Sequence, residues 1–460
     1  MGIRNWPYST IALLANIALL ANIALLANIA LLANIALLTG AIVVGSALPA
    51  AAQGRQLSWR GPTMGTRYQV KLVLPAGVEI SKADLVRDVD ATLREINGQM
   101  STYLPDSEIS RFNRAEADRW FAISPETAQV VQEALRISRL SGGVYDITIG
   151  PLVRLWHFGP SEDNKSTPPT PPSAESIAAA RRRVGYQQLQ VRMQPPGLRK
   201  ARTDIEIDLS SIAKGYAVDR VAQLLEDRKL PDYMVEIGGE VRTGGVRGDG
   251  RPWQIGIERP DATRRVVQRI VPLRDLAVAT SGDYRIFFIS GGKRYSHLID
   301  PRTGRPVSHS LAAASVVAKH CMEADALATT LLILGPEEGA AWAEQHQIAA
   351  LLLSHRDGKI IEQTTPRFDQ RIQDPVPGGI SDGASAQNRP AQNGSISLTI
   401  LLAAAVIAIS LIGMAAGVIL SNRRLRGSCG GLAGLRDPQG RTLCDGCTDP
   451  SPECVGSPDR

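Results

Sequence analysis

The feature that most limits what this chain can fold into is the absence of charge near both its ends. Residues 5–54 carry no Asp, Glu, Lys or Arg, and neither does Ile396–Leu420. Wound as a helix, a stretch of 25 apolar or small residues such as the second is about 37 Å long, enough to cross a hydrocarbon layer of roughly 30 Å with some tilt. Arg423, Arg424 and Arg426 follow it at once, and a positive flank of that kind stays in the cytoplasm. Residues 396–420 are therefore predicted to be a transmembrane helix, with the preceding segment outside the cytoplasm and the tail inside.

The first stretch is a repeat: IALLAN is written four times from Ile11 to Asn34 and then becomes IALLTG. A six-residue period without patterned glycine speaks against a hexapeptide β-helix, and Ala and Leu are strong helix formers. Six residues advance a helix by about 600°, so Asn16, Asn22, Asn28 and Asn34 scatter over three faces and make no polar stripe. Arg4 precedes the repeat and Ala50-Ala51-Ala52 offers an A-x-A cleavage pattern. Residues 1–52 are predicted to be an export signal or an uncleaved anchor. A plain cytosolic enzyme is excluded on this reading. The net charge of +6 over 460 residues is small and not gathered into one basic tract, which gives no case for nucleic acid.

Between the spans, residues 56–363 read as globular and 364–394 as a flexible linker rich in Pro, Gly, Ser and Gln, with an inserted loop of similar character at Gly159–Ser173. Alternation predicts strands at Thr66–Leu74, Leu189–Arg192, Trp253–Glu258, Arg285–Ile289 and Ala312–Val317. Helical periodicity predicts helices at Lys82–Gly98, Pro125–Ser141, Ile212–Arg228, Ala324–Leu334 and Pro336–Gln345. The order is mixed, which predicts an α+β fold with a mainly antiparallel sheet.

Four segments carry chemistry. Asp208 to Tyr216 (DLSSIAKGY) follows a strand-like Asp204–Ile207 and runs into a helix, whose first amides are expected to be free for an anion that Lys214 can also reach. Glu236 to Glu240 (EIGGE) reads as a strand broken by a glycine turn. Tyr295 to Pro306 (YSHLIDPRTGRP) places His297 close to Asp300 and a Pro/Gly turn, and an imidazole there can act as a base near neutral pH. In the helix around EADALATT, Asp325 and Thr329 lie four apart on one face. Two hard oxygens of that kind suit Mg²⁺ with phosphate oxygens in its remaining positions.

Taken together, these segments resemble the ApbE family, the FAD:protein FMN transferases, over most of Pro62–Leu334. Met64-Gly65-Thr66, STYLPDSEISRFN (Ser101–Asn113), GVYDIT (Gly143–Thr148), DLSSIAKGYAVD, EIGGE, ATSGDYR, HLIDPRTGRP and EADALATT occur in the family's order. The resemblance implies a T-fold-related domain that splits the pyrophosphate of FAD with Mg²⁺, joins FMN to a Thr or Ser of a target protein and releases AMP. It implies Met64, Tyr103, Tyr145, Asp146, Ile147, Asp208, Lys214 and Ile299 as flavin-nucleotide contacts. Asp325, Thr329 and the Ser211 backbone oxygen are implied as metal ligands, and His297 as the group that activates the acceptor hydroxyl. Exported members often carry an N-terminal lipobox cysteine, whereas the first cysteine here is Cys321, so anchoring falls to the spans. The alternatives are an FAD pyrophosphatase that hydrolyses without an acceptor and a non-catalytic flavin or iron assembly factor.

Cys321, alone in the exported part, is expected to be a free buried thiol. Cys429, Cys444, Cys447 and Cys454 cluster within the last 32 residues, in a compartment predicted to be reducing, and soft thiolates there suit iron, zinc or an iron–sulfur centre. GMAAGV (Gly413–Val418) and GSCGGL (Gly427–Leu432) with three further cysteines resemble NqrM, a one-span maturation protein of the Na⁺-translocating NADH:quinone reductase. That resemblance implies iron delivery, residues 421–460 as an NqrM-like tail, subunits of that reductase as acceptors, and a bacterial inner membrane location with the catalytic domain periplasmic.

Overall fold

The computed structural model describes residues 55–160, 170–261 and 266–373. Both predicted membrane spans and the four tail cysteines lie outside them. Among the described residues, no helix is long and apolar enough to cross a membrane.

The framework is one eight-stranded sheet, antiparallel throughout. Its strands are β1 (Gln56–Thr63), β2 (Thr66–Val73), β3 (Tyr233–Ile237), β4 (Glu240–Gly244), β5 (Ala277–Gly282), β6 (Leu311–Ala318), β7 (Ala349–Arg356) and β8 (Lys359–Thr364). Spatial order equals chain order, so the sheet is a meander, and the other elements are insertions between neighbouring strands. The largest insertion, between β2 and β3, carries helices α1 (Lys82–Met100), α2 (Pro125–Leu140) and α3 (Ala213–Asp227). Between β6 and β7 lies α4 (Cys321–Leu334), followed by the helix Pro336–Gln345.

Three hairpins of the sheet turn on two-residue loops with positive φ, among them Asp357 and Gly358, which join β7 to β8 at 51° and 72°. Met64 and Gly65 join β1 to β2 at φ 46° and 69°, and Gly238 and Gly239 join β3 to β4 at 64° and 110°. Such loops match the twist of the paired strands. The expected glycine turn in EIGGE is thus present.

The central strands of the sheet are buried on both faces. In β6, Ala314, Val316 and Ala318 belong to the main core with the helices, whereas Ala313 and Val317 belong to a second core. That second core is closed by Trp253, Ile255, Ile257, Val271 and Leu273 of a hairpin inserted between β4 and β5. In α1, Leu85, Val89, Leu93, Ile96 and Met100 recur at helical spacing on the buried side. Ser81 caps this helix by accepting from Asp84 N, and Ser124 caps α2 by accepting from Thr127 N.

Three expectations change. Asp204–Ile207 forms no strand, and several of its polar groups are met by side chains instead. Asn113 bonds both the N–H and the C=O of Ile207, and the buried Lys200 ammonium donates to the carbonyls of Asn113, Thr203 and Ile205. The strand expected at Arg285–Ile289 is Phe287–Ser290, paired with Lys293–Ser296. Beyond residue 363, Pro366–Gln373 is a helix with Phe368 fully buried in the second core, so the packed part runs further than the predicted linker boundary. The other predicted strands and helices occur with ends shifted by at most three residues.

Candidate active site

The meander brings together segments far apart in the chain. A cavity of about 810 Å³ is lined from both faces of the sheet around the Gly238-Gly239 turn. Val278, Ile255 and Ile257, from the second core, form part of the wall. Opposite them stand Lys214 at the start of α3 and Asp325, Thr329 and Ile333 of α4. Its volume falls in the range of about 300–1,000 Å³ usual for small-molecule sites.

Helices α3 and α4 meet closely because residue 215 is glycine: a Cβ there would lie 2.4 Å from the Cys321 carbonyl oxygen. Asp219 of α3 fixes the contact by accepting from the N–H groups of Cys321 and Met322, the first turn of α4, and Arg242 holds Asp219 at 2.9 Å. This approach sets Lys214 beside Asp325. Lys214 Nζ is 3.5 Å from Asp325 Oδ2 and 3.2 Å from Glu240 Oε1. Burial opposes the lysine's charge, but Asp325 and Glu240 outweigh it and hold the ammonium well above its ordinary value. Burial pushes the Glu240 carboxyl above the usual carboxylate range, with Lys214 pulling the other way.

The expected free amides at the start of α3 are largely occupied. Ala213 N donates to Leu209 O and Gly215 N to Asp325 Oδ2. The anion at this helix start is the protein's own Asp325, favoured there by the helix dipole.

His297 lines the cavity, and its Nδ1 lies 3.1 Å from the Ile286 carbonyl oxygen. A carbonyl only accepts, so Nδ1–H donates and Nε2 keeps its lone pair. Burial draws the imidazole below its ordinary value of 6.5 against the Ile286 hydrogen bond, and the Lys214 charge acts in the same sense as burial. The ring packs edge-on against Phe158, which lies beside Phe288, and Phe288 in turn stacks on Tyr295.

Of the other predicted residues, Tyr103, Tyr145, Asp146, Asp208, Ser211 and Ile299 line the same cavity. Tyr103 is 63% exposed and donates to Phe158 O; Tyr145 is buried and accepts from Ser211 Oγ. Burial raises the Asp146 carboxyl against the hydrogen bonds it accepts, which come from the N–H groups of Thr148 and Tyr186 and the Thr148 hydroxyl. Asp146 therefore clamps its loop.

Met64 and Ile147 are absent from the wall. The positive φ of the β1–β2 turn sets Met64 against the main core, next to cavity-lining Thr66. Ile147 is buried in that core, and only its carbonyl serves the site, by accepting from Asp208 N. Cys321 is buried and free, as expected. Glu240, Ser281 and Phe158, which the sequence does not mark as site residues, also line the cavity. Ser281 Oγ lies 2.9 Å from Thr329 Oγ1. The signal for Glu240 is a carboxylate placed directly after the Gly238-Gly239 turn.

The donor set suits a hard divalent cation. Asp325 and Thr329 stand on one helix face at the cavity, and Glu240 Oε2 is a buried oxygen with no hydrogen-bond partner. Among the described residues there is no group of three or more His, Cys, Asp or Glu able to hold a metal, so a cation here would need hydroxyl, carbonyl and substrate oxygens. Magnesium accepts such a mixed shell.

The ApbE family model matches residues 64–352. An FAD:protein FMN transferase of Vibrio cholerae is 44% identical over 313 residues, covering 68% of this chain and 92% of that protein. One from Haemophilus influenzae is 39% identical over 336 residues, covering 72% and 96%. The solved flavin transferase ApbE from Vibrio cholerae superposes with a TM-score of 0.63 at 42% identity, over 69% of this chain and 99% of that one. The chain therefore belongs to the ApbE family, and its enzyme class is that of these relatives, FAD:protein FMN transferase.

Proposed function

We propose that the cavity binds FAD with its pyrophosphate over Lys214, and that FMN passes to a Thr or Ser hydroxyl of the acceptor in a Mg²⁺-dependent step. The observation that supports this most is the meeting of an ammonium, a carboxylate–hydroxyl pair and an imidazole with a free Nε2 around one cavity. Lys214 draws in the phosphates and offsets their charge. His297 Nε2 takes the proton of the acceptor hydroxyl. The hydroxyl oxygen bonds to the FMN phosphorus as the bond from that phosphorus to the bridging oxygen breaks, and AMP leaves with the electron pair. Asp325, Thr329 and the Ser211 carbonyl would hold the cation, which supplies neutralisation of charge developing on the phosphate oxygens. Tyr103, Tyr145, Asp146, Asp208 and Ile299 shape the nucleotide's bed.

The uncharged stretches and the arginines after residue 420 support an inner-membrane protein with its catalytic domain in the periplasm and its tail in the cytoplasm. The four tail cysteines and the GSCGGL context support an NqrM-like iron-handling segment. Its natural acceptors on this reading are subunits of the Na⁺-translocating NADH:quinone reductase.

In-gel flavin fluorescence after denaturation tests the reading. An acceptor subunit of that reductase, incubated with the protein, FAD and Mg²⁺, becomes fluorescent, and prior removal of divalent cations prevents it. Labelling undiminished in the absence of divalent cations contradicts the metal-dependent step; an unlabelled subunit contradicts the assignment of acceptor.

A further inference from the structure

Lys214 is shared between two buried carboxylates. Its Nζ lies 3.2 Å from Glu240 Oε1 and 3.5 Å from Asp325 Oδ2, and the two acidic side chains are only 4% and 3% exposed. Asp325 already accepts from Gly215 N through the same oxygen that faces the ammonium. Glu240 stands on β4, immediately after the Gly238-Gly239 turn, with its second oxygen unpartnered. The proposed reaction needs Asp325 for a cation and Lys214 for phosphate, yet an ammonium paired wholly with Asp325 would compete with that cation for the carboxylate.

We propose that Glu240 is a positioning residue: it draws the Lys214 ammonium away from Asp325 and so keeps that carboxylate open to a divalent cation. It acts through the lysine. Buried charges need partners, and besides the Ser210 carbonyl oxygen at 3.4 Å, Glu240 is the carboxylate that remains to Lys214 once Asp325 is engaged elsewhere. The inference rests on the reading of Asp325 as a cation ligand.

Mn²⁺ binding to the full-length protein, followed by electron paramagnetic resonance, tests it without reference to turnover. The site counted is the one lost in Asp325→Asn. In Glu240→Gln, which keeps the shape but not the charge, the ammonium falls to Asp325 and Mn²⁺ is expected to bind about tenfold more weakly. Glu240→Asp, which keeps the charge, is expected to stay within about threefold of the parent. In Lys214→Met, where no ammonium remains to be drawn away, adding Glu240→Gln is expected to change the affinity by less than about threefold. Equal binding by the parent and Glu240→Gln overturns the proposal, as does a tenfold loss from Glu240→Gln in both backgrounds. Equal binding by the parent and Asp325→Asn overturns the cation site itself, a failure distinct from the other two.

Discussion

His297 shows how one side chain's chemistry follows from its neighbours. The Ile286 carbonyl fixes the proton on Nδ1, and burial lowers the imidazole's affinity for a second proton. A group whose value falls below 6.5 is already neutral at neutral pH, so the base form is lost only as the pH drops through that lowered value. The rate of flavin transfer against pH is accordingly expected to have its acid limb below pH 6.5 and to lack that limb in His297→Gln. The same substitution should slow transfer by about 10²–10⁴-fold, the usual worth of a positioned base. A limb unchanged in His297→Gln would assign the titration to another group. Single residues were legible in the sequence to the degree that their partners were local. Asp325 and Thr329 were found because they are four apart on a helix. The pairing of Lys214 with Asp325, separated by 110 intervening residues, and with Glu240 across the β3–β4 turn arises only from the fold. Ile147 shows the reverse case: the motif was recognised, but its side chain is taken by the core and only its backbone reaches the site.

At the scale of elements, the site depends on how closely α3 and α4 approach. Gly215→Ala would set a methyl 2.4 Å from the Cys321 carbonyl oxygen, and overpacking of this kind costs about 1–3 kcal/mol. Because Lys214 and the Asp325 hydrogen bond flank that contact, the substitution is expected to weaken FAD binding as well as lower Tm. Titration of FAD alongside thermal unfolding checks this, and a lowered Tm with unchanged FAD affinity would place the helix contact outside the site. Elements with one-sided patterning were legible: Trp253–Glu258 and Pro336–Gln345 occur with the predicted ends. Ala277–Gly282 and Ala349–Arg356 were not, since central strands buried on both faces lose their alternation, and AALLL reads as well for a helix. The meander order was beyond reach because four of its seven strand pairings, β2–β3, β4–β5, β5–β6 and β6–β7, span insertions of different length.

At the scale of the whole molecule, an ordinary catalytic domain is joined to two uncharged stretches, on which the proposal of a membrane location rests. The proposed topology puts Cys321 outside the cytoplasm but buried, and the four tail cysteines inside. A membrane-impermeant thiol reagent is therefore expected to leave intact spheroplasts unlabelled and to label the tail once they are permeabilised. Labelling of the tail in intact spheroplasts would reverse the orientation. On the proposed mechanism, the cavity holding Lys214, Asp325 and His297 couples breakage of FAD to labelling of a protein. Joint measurement of AMP released and flavin attached to the acceptor, for the parent and Asp325→Asn, reads that coupling. The expected result is one AMP per attached flavin in the parent and loss of both in Asp325→Asn; AMP release with an unlabelled acceptor, or full labelling by Asp325→Asn, would contradict it.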